Sequence, residues 1–197
     1  MDVTKTNFLA LHICINNEGR KKNIQCLPNN CKRKNINNQP SFPYFFIEPW
    51  VQITRNLCIG AKPNEYGIFQ LPRDGVITSL KLQNVNGTGV TCLPSAPLTL
   101  WGCDSIDYYN KDNIGVVVTD SQNTILYPSM KRHVNNGFFS IPGYNAYSPY
   151  VVFNSTNYTA YEGQELRLHY GETLFPVPSN DNSDFICVDI FAIIFDL

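Results

Sequence analysis

From Tyr44 onward, short apolar stretches rich in β-branched and aromatic residues alternate with turn-forming residues, and this pattern most constrains the fold. Gly, Pro, Asn and Asp interrupt the stretches about every 8–12 residues, a spacing typical of β-sandwiches and barrels. No apolar stripe with a helical period runs for about ten residues behind a plausible cap. We therefore predict an all-β fold over residues 44–197, an antiparallel β-sandwich of jelly-roll type.

The first 43 residues do not share this pattern. Residues 16–43 hold eight Asn and three Pro with scattered Lys and Arg, and no period in them would hide an apolar face. Residues 1–15 carry one lysine and a short, interrupted apolar run, which resembles a degenerate signal segment. We predict an irregular N-terminal arm over residues 1–43.

Several stretches predict individual strands. Residues 115–120 and 124–127 flank the polar loop 121–123 and predict a hairpin. Two strands are predicted to be half-buried, because apolar and polar residues alternate along them. Their inward residues are Val76, Thr78, Leu80 and Leu82 in the first and Leu166, Leu168 and Tyr170 in the second.

The last predicted strand, Phe185 to Phe195, is apolar on both faces apart from Asp189. Sandwiches normally leave one sheet face wet, so this strand needs a second cover. A fully buried central position, the N-terminal arm and a homo-oligomer formed through this strand are the three alternatives.

The chain has seven cysteines, and none of their spacings forms the doubled pairs of a zinc ribbon. Such usage indicates an oxidising compartment, so we expect a secreted, extracellular protein. The preferred local disulfides are Cys92 with Cys103 and Cys26 with Cys31. Sequons at Asn86, Asn154 and Asn157 stand in turn-like contexts and predict glycosylation.

The charge and hydropathy of the chain exclude two classes of partner. The formal net charge is −1 and only 16% of residues are charged, so no overall field would attract nucleic acid. No apolar run reaches the roughly 20 residues of a membrane span. We expect neither nucleic acid nor a membrane span.

The sequence offers little for catalysis or for a metal. Common catalytic and nucleotide-binding motifs are absent, and we assign no catalytic residue. His169 shares a strand face with Glu165 and Arg167, and we interpret that face as solvated. Oxygen ligands concentrate just before the last strand, and Asp181, Asn182 and Asp184 predict a calcium site. No other cofactor is expected.

Two loops combine aromatic rings with carboxylates and amides, the side chains that glycan-binding loops use. Ordinary packing is the alternative interpretation. One loop also resembles adaptable binding loops in its Tyr, Gly, Asn and Ser content. The candidate ligand-binding residues are Trp101, Asp104, Asp107, Tyr108 and Tyr109 in the first loop, and Tyr144 and Tyr147 in the second.

Four motifs between about residues 70 and 195 resemble a group of uncharacterised secreted β-sandwich proteins of marine invertebrates. They are Cys92…Trp101-Gly102-Cys103, Val116-Val117-Val118-Thr119-Asp120, the stretch Gly163 to Glu172, and Asp181-Asn182-Ser183-Asp184…Cys187-Val188-Asp189. The C-terminal stretches Gly163-Gln164-Glu165-Leu166 and Asp181 to Phe185 also resemble the closing strands of C1q and tumour-necrosis-factor jelly rolls. The first resemblance implies secretion and fold; the second implies trimers formed through apolar strand faces.

These observations together favour an extracellular recognition or matrix module that binds a glycan or a protein through its aromatic and acidic loops, without enzymatic activity. The first alternative is a C1q-like self-assembling, trimeric ligand. The second is a small glycan hydrolase, since paired carboxylates on a β-sandwich can serve that chemistry.

Overall fold

The computed structural model describes residues 50–105, 110–154, 157–177 and 179–197. Apart from two short 3₁₀ segments, Met130–Arg132 and Gly171–Leu174, their regular structure is entirely β, as predicted. The strands, in chain order, are β1 Val51–Gly60, β2 Gly67–Gln70, β3 Gly75–Thr91, β4 Asn113–Ile114, β5 Val116–Asp120, β6 Ile125–Tyr127, β7 His133–Asn135, β8 Phe138–Ser140, β9 Tyr150–Phe153, β10 Tyr158–Ala160, β11 Glu165–Tyr170 and β12 Ser183–Phe195.

The strands form three antiparallel sheets, packed as a sandwich. The first runs β1-β12-β3-β10, with β9 also paired to β3; the second runs β2-β11-β5-β6; the third runs β4-β8-β7. The pairing of β5 with β6 confirms the predicted hairpin. The predicted arm, the signal segment and the Cys26–Cys31 pair lie outside the described residues, so those expectations and the boundary at residue 43 stay predictions.

β12 occupies the centre of the first sheet, between β1 and β3. Its inward residues, which include Ile186, Val188 and Ile190, are fully buried in the core. Its outward residues are covered less completely: Phe191 and Ile193 are half-buried, and Phe185 is 43% exposed. The strand is therefore central, as one alternative held, but its outer face stays partly open within the described residues.

A register shift in β3 corrects one sequence prediction. The pairing with β12 is irregular between Ile193 and Ile194, where Ser79 and then Ile77 are the partners. This bulge changes the phase of the side chains, since the extra residue moves the following ones to the other face. Ile77 is consequently buried, while Val76 and Thr78, predicted to face inward, are only half-buried.

Two disulfides are present among the described cysteines. Cys92 pairs with Cys103, as predicted. Cys58 pairs with Cys187 across β1 and β12, a connection that the sequence analysis did not identify. No helix in the described part of the chain is long and apolar enough to cross a membrane.

Candidate functional site

The two loops that the sequence analysis singled out lie against each other. The Trp101 indole donates a hydrogen bond to the Ser148 carbonyl oxygen, and the Trp101 backbone N–H donates to the Ala146 carbonyl oxygen at 3.1 Å. Tyr147 donates its phenol proton to Asp104 Oδ2 at 2.8 Å. These bonds join residues more than 40 positions apart in the chain, so the structure brings Asp104 and Tyr147 together on one surface.

Tyr147 is 43% exposed. Its partial burial, followed by the hydrogen bond and the charge of Asp104, raises the pKa of Tyr147 above its ordinary value. The phenol therefore stays protonated and able to donate at neutral pH. Asp107, Tyr108 and Tyr109 lie outside the described residues, and their assignment to the site stays a prediction.

Trp101 does not offer a surface for stacking, which corrects its assignment as a ligand-binding residue. Its side chain is fully buried and belongs to the hydrophobic core. The indole N–H needs a partner there, because a buried donor without one is costly, and the Ser148 carbonyl supplies it. Trp101 thus connects the two loops from within the hydrophobic core.

A groove with a volume of about 850 Å³ lies on the outer face of the first sheet. We call it the sheet groove. β3 and β9 supply six of its eleven lining residues, β12 supplies one, and the other four lie just before β1 or in the segments on either side of β9. The lining consists of Trp50, Ser79, Lys81, Gln83, Asn84, Tyr144, Pro149, Tyr150, Val152, Asn154 and Ile193.

Three aromatic rings border the sheet groove. Trp50 is 37% exposed and Tyr150 is 44% exposed, so both residues are accessible from solvent. The Tyr144 ring meets Tyr150 edge-on, with the centroids 5.8 Å apart. Partial burial, and then the proximity of Tyr150, raise the pKa of Tyr144, which keeps its phenol protonated. The groove therefore combines rings with uncharged hydrogen-bonding groups.

The Lys81 ammonium lies above two rings of the same face. Its Nζ is 4.3 Å from the centroid of the Phe191 ring and 5.6 Å from that of Trp50. Both distances lie within the reach of a cation–π interaction. Lys81 and Phe191 are paired in the β3–β12 register, so the sheet itself places the cation over the ring.

Of the groove residues, the sequence analysis assigned only Tyr144 to ligand binding, and it assigned Asn154 to glycosylation. The available signals were indirect: Ser79, Lys81 and Gln83 alternate with apolar residues on β3, and the last strand required a second cover. Neither signal says which other strands complete the face, because β9 and β12 are distant from β3 in sequence.

The residues predicted to bind calcium differ in their burial and in their hydrogen-bond partners. Asn182 is buried, and its Nδ2 donates to the Ala61 carbonyl oxygen at 3.0 Å. Asp184 is exposed, and its carboxylate accepts hydrogen bonds from the hydroxyls of Thr88 and Ser183. Asp181 is also exposed. No group of three or more His, Cys, Asp or Glu side chains suited to a metal occurs in the described part of the chain.

A carboxyl group that the sequence analysis overlooked stands beside Asn182. Glu172 is 6% exposed, and burial raises its pKa to about 7; a hydrogen bond with Asn182 opposes this shift and the charge of Asp181 adds to it. Glu172 Oε2 and Asn182 Oδ1 are both buried without a hydrogen-bond partner. Two unpartnered oxygens, with the carboxylate of Asp181 as a second acidic group nearby, fit a hard cation in chemical type. The calcium site stays a prediction, with Glu172 as an added candidate ligand.

The expectation that His169 lies on a solvated face was wrong. The side chain is 4% exposed and stacks on the Tyr66 ring, with centroids 4.7 Å apart. Burial, and then the charge of Arg167, lower the pKa of His169 to about 4. Arg167 itself pairs with Glu165 at 2.7 Å. The imidazole is therefore neutral at physiological pH and packs as a ring.

Comparison with protein-family models and with curated proteins gives no match. Among solved structures, the chain is similar to AJLec, a lectin from the sea anemone Anthopleura japonica. The two share 32% sequence identity over 75% of this chain and 98% of the AJLec chain, with a TM-score of 0.68. The match agrees with the resemblance to β-sandwich proteins of marine invertebrates. By this identity and coverage, the chain belongs to the family of the sea anemone lectin AJLec.

Proposed function

We propose that this protein is an extracellular lectin that binds glycans in the sheet groove without chemically changing them. The observation that carries the proposal is the groove lining, which combines the rings of Trp50, Tyr144 and Tyr150 with the amides of Gln83 and Asn84. Sugars present apolar C–H faces and hydroxyl groups together. A cavity with rings and a few placed polar groups suits such a ligand, and membership in a lectin family supports the same function.

The surface formed by Asp104 and Tyr147 is the proposed extension of this site. Tyr144 lines the groove, while Tyr147, three residues later, faces Asp104. A glycan longer than the groove would reach this surface, where the phenol and the carboxylate offer hydrogen bonds. Asp107, Tyr108 and Tyr109 follow Asp104 closely in sequence, and we include them in the proposal.

We propose that calcium binds where Asn182 lies, with Asp181 and Glu172 as the acidic ligands. The support is the pair of buried, unpartnered oxygens, Glu172 Oε2 and Asn182 Oδ1. A bound divalent cation would supply the missing partner for both, and it would hold Glu172 in its ionised form. Asp184 is the weaker candidate, because its carboxylate already accepts two hydroxyl hydrogen bonds.

Secretion and glycosylation belong to the same proposal. The two disulfides support an oxidising compartment. Asn86, Asn154 and Asn157 are all exposed, as a glycosylation acceptor must be. Asn154 also lines the sheet groove, so a glycan attached there would occupy part of the groove or lie next to it.

Self-assembly through β12 is the second candidate function, favoured by the partly open outer face of that strand. Phe185 and Phe195 are 43% and 41% exposed, and Phe191 and Ile193 lie between them on the same face. Light scattering on the secreted protein tests this alternative. A stable trimer would support a self-assembling ligand, and a monomer would exclude it.

A glycan array tests the lectin proposal directly. We expect the wild-type protein to bind a subset of glycans and Tyr150→Ala to lose most of that binding, because the exposed Tyr150 ring is removed from the groove. Tyr161→Ala is the matched control, since Tyr161 is 57% exposed and does not line the groove. An array without signal, with and without calcium, would contradict the proposal, as would equal losses in both variants.

A further inference from the structure

The sheet groove has an unbalanced charge. Lys81 is its one charged lining residue, and no carboxylate lines it among the described residues. The acid nearest to it on the outward face of β12 by register is Asp189, which is opposite Gln83. Asp189 accepts hydrogen bonds from the Gln52 side chain at 3.2 Å and from the Asn56 backbone N–H at 2.9 Å. That carboxylate is therefore held toward β1.

The Lys81 ammonium has no anionic partner in the described part of the chain. The ion pairs found there are Arg73 with Asp196 and Arg167 with Glu165, both outside the groove. Lys81 instead lies near the rings of Phe191 and Trp50, which attract the cation but accept no conventional hydrogen bond. An ammonium has three donors. The rings therefore position the cation and leave its donors available to a ligand.

The surroundings of Lys81 strengthen its attraction for an anion. The side chain is half-buried, and the apolar residues Phe191, Ile193 and Val152 share its face of the sheet. Charge-assisted hydrogen bonds are about twice as strong as neutral ones, and they are screened less where water is partly excluded. Gln83 and Asn84 stand beside Lys81 on β3 and can accept hydroxyl protons from the same ligand.

We infer that the sheet groove selects acidic glycans, with Lys81 binding a carboxylate or sulfate substituent while Trp50 and Tyr150 contact the sugar ring. This inference rests on the proposed lectin function and adds to it the chemical class of the ligand. Carboxylate and sulfate share the chemistry that Lys81 recognises: an anionic oxygen group attached to a sugar.

The experiment uses a glycan array printed with matched sets, in which one oligosaccharide backbone occurs in neutral, sialylated, uronic-acid and sulfated forms. We expect the acidic members to bind about tenfold more tightly than their neutral counterparts, the ratio given by one charge-assisted hydrogen bond. The ratio should fall as salt rises. The sialylated and uronic-acid arms report carboxylate recognition, and the sulfated arm reports sulfate recognition.

Three variants separate Lys81 from the overall charge of the protein. Lys81→Gln should bring acidic and neutral members to equal binding, and Lys81→Arg should keep the preference. Lys131→Gln is the matched control, because Lys131 is exposed outside the groove and its loss changes the net charge equally.

The outcomes distinguish this inference from the proposed function. Equal or better binding of neutral glycans by the wild-type protein overturns the acidic selectivity and leaves the lectin function standing. A preference lost equally in Lys81→Gln and Lys131→Gln overturns the role of Lys81. Binding to no glycan at all overturns the lectin function, and this inference with it.

Discussion

Cys58 and Cys187 are directly opposite each other on β1 and β12, with their Cα atoms 3.9 Å apart, and their disulfide spans 129 residues of sequence. The Cys92–Cys103 disulfide spans only 11. Loop-closure entropy predicts that the longer loop constrains the unfolded chain more, by about 5 kcal/mol against about 3 kcal/mol. The Cys58→Ser, Cys187→Ser double variant should therefore lose more stability than the Cys92→Ser, Cys103→Ser variant.

Chemical denaturation of the two double variants measures this difference. Equal losses, or a larger loss for the shorter loop, would show that local geometry outweighs chain entropy here.

Trp101 should stabilise the fold through its buried hydrogen bond as well as its ring. Trp101→Phe keeps a ring in the core but leaves the Ser148 carbonyl oxygen without its indole donor, so we expect a loss of about 1–3 kcal/mol. Tyr147→Phe removes the exposed bond to Asp104 and should cost less than about 1 kcal/mol, because water replaces the phenol. Urea unfolding compares the two; a larger loss for Tyr147→Phe would contradict the assignment.

His169 should make the protein less stable as the pH falls from 6.5 to about 4. Its pKa is lowered in the folded state, so over this range the unfolded chain binds more protons than the folded one, and protonation favours unfolding. His169→Phe keeps a ring against Tyr66 and removes the titrating group. The difference in unfolding free energy between wild type and variant should change across this window and stay flat above it. Parallel pH profiles would refute the prediction.

Calcium should raise the melting temperature of the wild-type protein. At a free concentration of about a hundred times Kd, binding contributes about 2.7 kcal/mol, or roughly 5–10 °C for a chain of this size. We expect Glu172→Gln and Asn182→Ala to lose this response and Asp184→Asn to keep it, because the Asp184 carboxylate is already hydrogen-bonded. Thermal unfolding in EDTA and in calcium measures the shift. An unchanged wild-type melting temperature would remove calcium from the proposal.

The parts of the fold that sequence could predict are those governed by local pattern. The buried Leu166, Leu168 and Tyr170 follow the period of a strand, and the β5–β6 hairpin follows from its polar loop. The Cys92–Cys103 disulfide could be predicted because few residues separate the two cysteines. In each case, residues close in sequence decided the outcome.

What sequence could not predict depends on contacts between distant residues. Trp101 resembles a binding residue because polar residues follow it, yet the loop near Ser148 packs over it. His169 alternates outward on β11, but Tyr66 covers it. The sheet groove is assembled from β3, β9 and β12, which pair in the sheet although they lie far apart in the sequence. The order in which distant strands pair cannot be predicted from the sequence pattern of any one strand.

The central position of β12 also sets the order in which the molecule can be completed. β1 and β3 are each hydrogen-bonded to β12 and not to each other, so both present open edges until a strand made more than 90 residues after β3 arrives between them. Such long-range pairing is slow, and unpaired edges invite contact with other chains. The nascent protein therefore spends most of its synthesis without its larger sheet. The Cys58–Cys187 disulfide can form only when that interval ends, because Cys187 lies in β12 itself.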